Sequence, residues 1–371
     1  MSEYQYYEFQ TIDRPLTPNE QAAIRQLSSR VELSSTRAVF TYSYADFRGE
    51  PKQVLAKYFD AMFYIANWGT QQLMFRFPKS LLDFEEIQKY CLEDFITLSV
   101  INNHVILEIQ FDEEEGCGWI EETDYLSSLV ELRNDILQQD YRMLYLAWLR
   151  AITLDALDEE ESEPPVPPGL GHLSRPLNAF VELFGVDDCL LKAAAKLSCD
   201  RASISDTTLL QAIKKLSRKE CDTFLLRLAN GQPHLPLELN KKLSEIITAP
   251  QPEYQPQRTI KQLFEAAERE REQEVIRQTQ EAEKKRLKEL EKLAKREADA
   301  WNDVEQFIQK SQAKTYDEAV KLLLKLQDLA IHQNKKSDFR VRLNHIHDQY
   351  SKRSAFIKRL NNVGLYHEVS R

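Results

Sequence analysis

The sequence predicts an α/β or α+β N-terminal domain, followed by an all-α bundle, a long charged helix and a helical C-terminal module. Three observations predict this. Aromatic-rich strand patterns alternate with helical periods over residues 1–157. From residue 172 the period is helical throughout. Between them, DEEESEPPVPPGLG at 158–171 carries five acidic residues, four prolines and two glycines. Acidic runs repel themselves and proline fixes φ, so this stretch reads as an extended, semi-rigid linker.

Tyr4–Phe9 reads as the first strand. Thr17-Pro18-Asn19-Glu20 is a capping box that opens a helix to about Ser28. Arg37–Tyr44 is a second strand. Pro51 opens a helix expected to run through Leu55, Phe59, Met62, Phe63 and Ile65, with Gly69 as its left-handed cap. Gln72–Phe77 is a strand and Asp83–Cys91 a short helix. Phe95–Ile101 and Val105–Phe111 flank Asn102-Asn103, a pair suited to a tight hairpin. Residues 123–157 suggest two helices breaking near Gln139–Asp140.

In the expected helical bundle, 172–248, helices cover Pro176–Phe184, Asp187–Leu197 and Asp206–Leu216. A second capping box, Ser217-Arg218-Lys219-Glu220, starts another through Leu228, and Pro236–Ile247 closes the set. APQPEYQPQ makes 249–257 a second, Pro-rich linker. Residues 258–310 lack Pro and Gly and read as one long charged helix. Its heptad is partial: Leu287, Leu290, Ala294, Trp301, Val304 and Ile308 hold a seam, but Glu297 takes a core place. An arm solvated in its first half and packed in its second fits better than a dimeric coiled coil throughout. In the module, 311–371, Tyr316–Ile331 and Phe339–Leu360 read as two amphipathic helices.

The net charge of −10 conceals a division. Residues 1–163 hold 30 acidic against 13 basic residues, a net −17, and the remainder is net +7. The first part is therefore unsuited to nucleic acid, whose phosphates need Lys and Arg. Five scattered cysteines without a CxxC pair point to reduced thiols and a cytoplasmic location. The opening MSEYQYYEFQ lacks the features of a signal peptide, and no run of about 18 apolar residues is present. Neither GxGxxG nor GxxxxGK[ST] occurs.

YYEFQTIDRPLT, KYFDAMFYIANWGTQQLMFRFP, PPVPPGLGHLS and LSRKECDTFLLRLANG together resemble a widespread family of uncharacterised bacterial proteins, over residues 1 to about 235. The resemblance implies a bacterial, cytoplasmic protein. It brings no activity, cofactor or catalytic residue with it.

The densest polar and aromatic group near expected element ends is Asn67, Trp68 and Thr70 with Asp13, Arg14 and Arg76; it is the expected binding surface of the first domain. Against it stands a tryptophan wedged between helix and sheet. Arg340, Arg342, Lys352, Arg353, Lys358 and Arg359 form a basic face for an alternative, nucleic-acid-binding reading, weighed against simple solvated charge. His345-x-His347 faces two directions on a helix, and the acidic runs lack calcium-loop spacing, so no metal or cofactor is expected. Cys117 among glutamates is disfavoured as a thiolate. The sequence thus favours a non-enzymatic interaction or scaffold protein with protein partners and no membrane. A nucleic-acid accessory factor is the alternative, and an enzyme of unrecognised class in the first domain a second one.

Overall fold

The computed structural model describes residues 3–43, 47–113, 124–154, 157–201, 206–232, 235–247 and 258–365, in two compact units, 1–271 and 272–371. The expected second linker and Cys117 lie outside the described residues.

In chain order the first unit runs β1 (Gln5–Gln10), α1 (Pro18–Arg25), β2 (Glu32–Leu33), β3 (Arg37–Tyr42), α2 (Pro51–Tyr58), β4 (Ala61–Ala66), β5 (Thr70–Pro78), α3 (Phe84–Gln88), β6 (Ile96–Ile101) and β7 (His104–Asp112). The strands pair antiparallel in the order β2-β3-β1-β4-β5-β7-β6, which makes the domain α+β. Period-two alternation sends Tyr7, Phe9, Met62 and Met74 to one face, under α1 and α2. Tyr6, Phe63, Phe75, Phe77 and Leu107 go to the other. Each fully buried phenylalanine contributes roughly 1.5–3 kcal/mol.

The second face is covered by a 3-10 turn (Leu126–Ser128), α4 (Glu131–Leu137), α5 (Arg142–Ile152), α6 (Arg175–Phe184) and α7 (Asp188–Ala195). Ten of the eleven residues of α5 are buried, Trp148 among them. The next three helices are α8 (Asp206–Lys215), α9 (Arg218–Ala229) and α10 (Leu235–Ile247). They share a small core of their own built on Ala212, Leu216 and Leu243.

Several sequence expectations are corrected here. The helix expected from Pro51 to Ile65 stops at Tyr58, and Ala61–Ala66 is a central strand. A strand buried on both faces is apolar throughout, and such a run resembles a buried helix. Gly69 is left-handed (φ 112°) but turns β4 into β5; a Cβ there would lie 2.0 Å from the Glu113 carbonyl oxygen. Of the stretch expected as an extended linker, residues 158–162 are exposed, whereas from Glu163 onward it lies against the core. Glu163, Pro164, Pro167 and Leu170 are buried, and Pro165 accepts the Tyr90 hydroxyl at 2.8 Å. The expected separate bundle is divided, because α6 and α7 complete the core beneath the sheet.

α11 (Ile260–Lys295) begins in the first unit and ends in the second, which continues with α12 (Glu297–Gln309), α13 (Ala313–His332), α14 (Lys336–Gln349) and α15 (Ser354–Asn362). The expected single helix over 258–310 is therefore two, interrupted at Arg296 (φ −123°, ψ 26°). The break falls beside Glu297, the polar intruder in the heptad. Likewise Phe339–Leu360 is two helices, split at Tyr350–Arg353. Residues 275–286 of α11 are exposed, while Leu290 and Leu293 join Trp301, Val304, Leu323, Leu343 and Phe356 in the second core.

Candidate functional site

The six residues expected to form one surface occupy two ends of the sheet. Asp13 and Arg76 sit where β4 begins, and Asn67, Trp68 and Thr70 where it ends. The antiparallel register sets them about six residues, roughly 20 Å, apart. Exposed Arg14 pairs with half-buried Glu20 at 2.6 Å and joins neither group.

At the first end the charges are consumed internally. Asp60 is buried and accepts from the Ile12 and Asp13 N–H groups at 2.6 and 2.9 Å and from Arg76 at 2.6 Å. Burial alone would raise its carboxyl pKa. Those two N–H donors, with Arg76 and Arg133, outweigh burial and hold it below the ordinary range. Arg133, on α4, holds both oxygens of Asp13 at 2.9 Å and donates through Nε to the Arg76 carbonyl at 2.8 Å. This network pins α4 to the sheet end. Asp60 and Arg133, its two buried members, were not legible from local sequence.

At the second end, Trp68 donates to Thr70 Oγ1 at 3.0 Å, and Thr70 donates to Asp112 at 2.5 Å. Asn67 accepts from the Tyr4 N–H at 3.0 Å. Trp68 is exposed rather than wedged against the sheet. These contacts tie the β4–β5 turn to the neighbouring strands and leave the indole face in solvent.

A third buried group roots α11. Glu163 accepts from Tyr145, and from Arg258 Nη2 at 2.9 Å. Main-chain bonds from Glu163 N to the Arg258 carbonyl (3.2 Å), Ile260 N to Glu161 and Lys261 N to Glu159 (both 2.9 Å) lay the acidic strap beside the helix start. Ile260, Leu263 and Ala267 then enter the main core.

The most unusual surface is on α9. Glu220 and Arg227, at helical spacing, turn toward α10 and pair with Lys242 and with Glu238, the latter at 2.6 Å. The helix has no buried residue. Cys221 and Phe224 are half-buried, Cys221 against the small core, whereas Leu225, Leu226 and Leu228 are 60, 64 and 60% exposed. A surface helix ordinarily turns its large apolar residues inward. The sequence predicts a helix through Leu228 within a small bundle and does not mark these leucines as a surface.

Of the basic C-terminal residues, three are engaged internally. Arg353 donates to the Ile308 carbonyl and to Ser311, and lies 5.4 Å over the Tyr350 ring. Arg359 pairs with Asp317 at 2.6 Å, and Arg342 lies 5.3 Å over the Trp301 ring. Arg340, Lys352 and Lys358 are exposed. Among the described residues, no group of three or more His, Cys, Asp or Glu side chains is placed to hold a metal ion. No described helix is long and apolar enough to cross a membrane.

No protein-family model, curated protein or solved structure matches the chain.

Proposed function

We propose that the protein is a non-enzymatic, cytoplasmic interaction protein in which the outward apolar face of α9 receives a protein partner. In this reading α11, rooted by Glu163 and Arg258, carries the C-terminal helical unit. The single observation behind it is the exposure of Leu225, Leu226 and Leu228 on a helix attached to its neighbour by ion pairs. Isolated exposed leucines are ordinary, whereas three within four residues of one helix form a partner face. Spacing of i and i+3 suits capture of a helix side in an apolar groove. The free thiols of Cys91, Cys189, Cys199 and Cys221 favour a reducing compartment.

The test is recovery of partners from native lysate at low and moderate salt. The intact chain is compared with a Leu225→Ser, Leu226→Ser, Leu228→Ser variant whose fold is checked by circular dichroism. Proteins retained by the wild type and lost with the variant are expected. Equal recovery by both, or recovery abolished by nuclease, would overturn the reading.

A further inference from the structure

The sheet has two edge strands, and they differ. β2 is only two residues long, whereas β6 offers six. In the hairpin register Ile101 faces His104, Ser99 faces Ile106 and Thr97 faces Glu108. The pair beside a two-residue turn exchanges both of its main-chain bonds, and such pairs alternate along the ladder. Thr97, Ser99 and Ile101 therefore bond to β7. The bond from the Gln110 N–H to the Phe95 carbonyl, at 2.9 Å, keeps the same phase. Leu98 and Val100 turn their N–H and C=O groups outward, where they meet no partner among the described residues. Leu92 closes this edge at one end by exchanging main-chain bonds with Ile96 at 3.0 and 2.9 Å. The Asn102-Asn103 turn closes the other end.

Edge strands are ordinarily guarded by brevity, charge or proline. β6, ITLSVI, has none of these. Beside it Leu82, Phe84, Val100 and Val105 line an apolar cavity of about 240 Å³, with Phe84 and Val100 40 and 50% exposed. An open row of main-chain donors and acceptors fits an extended strand. The symmetry of the stretch says which strand. Its open residues, 97–101, are centred on Ser99. A two-fold axis there sets Leu98 opposite Val100 of a second copy, and each outward N–H meets an outward C=O. Opposed residues share a sheet face, so each Leu98 comes beside the cavity at the other copy's Val100.

The charges agree. The Lys79 N–H donates to the Asn103 carbonyl at 3.2 Å, which places Lys79 at the turn end of β6; Glu93 and Asp94 precede the opposite end. All three are exposed, and none forms an ion pair with another described residue. Antiparallel pairing brings each Lys79 to the end where the second copy's Glu93 and Asp94 lie.

We infer that two copies of this chain pair through β6, antiparallel about Ser99, so that one sheet continues across the dimer. The pairing is independent of the α9 face, and either can fail without the other. A contact built on such short strands falls below the roughly 1,200–2,000 Å² of a standard interface, so the dimer dissociates on dilution.

The experiment is sedimentation velocity on the full chain over a wide range of concentration. The wild-type mass is expected to climb from 43.4 kDa toward twice that value. Val100→Pro removes an outward N–H that β7 does not use. It is expected to weaken association about tenfold or more, because half of the bonds between the copies are lost. Lys79→Glu is expected to weaken association as well, and adding Glu93→Lys to it is expected to restore the loss. This exposed charge pair keeps the measurement valid if Val100→Pro disturbs the hairpin. A wild type that stays at 43.4 kDa at every concentration, or association unchanged in Val100→Pro and Lys79→Glu, would overturn the inference.

Discussion

Arg258 Nη2 donates to Glu163 Oε1 at 2.9 Å across 95 residues of chain, and this contact holds the start of α11 against the core. Both side chains are nearly enclosed, at 10 and 1% exposure. Removing one partner of such a pair strands the other and costs about 3–5 kcal/mol, whereas replacing both with apolar groups costs far less. Glu163→Gln is therefore expected to destabilise the first unit and to speed amide exchange over Ile260–Ala267, leaving Val304 and Ile308 protected. Glu163→Leu combined with Arg258→Met is expected to recover most of the loss. Hydrogen exchange read by mass spectrometry checks both; unchanged protection at Ile260–Ala267 in Glu163→Gln would refute the anchoring role.

Arg133 predicts a different sensitivity. It engages Asp13 through a two-pronged fork and lies 5.6 Å over the Phe77 ring. Lysine keeps the charge but cannot reproduce the fork. Arg133→Lys is expected to lower urea stability by about 2–3 kcal/mol, the scale of charged hydrogen bonds. Arg14→Ala, at an exposed pair, is expected to change it by less than about 0.5 kcal/mol. Equal effects of the two substitutions would contradict the assignment.

Two buried carboxyls give stability opposite dependences on pH. Glu8 accepts from Arg37 at 2.7 Å and from the Leu126 N–H at 3.2 Å. Burial, then the neighbouring Asp124 carboxyl, nevertheless push its pKa up to about 7 from 4.5. An acid whose folded value exceeds its unfolded one favours the folded state at low pH and loses that advantage as pH rises from about 4.5 to 7, by roughly 3 kcal/mol. Asp60, held below its ordinary value, contributes stability above about pH 4 that disappears under stronger acid. Melting temperature followed across pH 4.5–7.5 is expected to fall less in Glu8→Gln than in the wild type. Parallel profiles would remove Glu8 from the account.

Thiol reactivity provides a local test. Burial pushes the Cys91 thiol up to about 11, while Cys199 is exposed. Because the thiolate is the nucleophile, iodoacetamide is expected to modify Cys199 well before Cys91 in the folded protein. Peptide mapping against time reads the order, and early labelling of Cys91 would contradict its burial.

Local signals were legible where the determining residues are neighbours in sequence. Both capping boxes form as read, with Thr17 and Ser217 accepting from Glu20 and Glu220 N–H groups. Asn102 takes φ 54° in the expected hairpin. Illegible features depended on distant partners. Met62–Ile65 became a strand because sheet and helices cover both its faces. The acidic, Pro-rich strap was folded inward by Arg258 and Tyr145, far away in the chain. Arg76 and Asp13 were visible in the sequence, but their ionic partners Asp60 and Arg133 lie 16 and 120 residues away in the chain. In α9 the helix start was visible, yet the side that meets α10 depends on pairs with Lys242 and Glu238, farther along the chain.

The most direct measurement on the proposed function is photo-crosslinking from position 226. A benzophenone amino acid replaces Leu226 in the full chain, with a second version carrying it at exposed Arg340, and both are irradiated in native lysate. A discrete protein adduct is expected from position 226, absent from position 340 and lost when Leu225 and Leu228 become serine. No adduct from position 226, or the same adducts from both positions, would contradict the claim that α9 is a docking face.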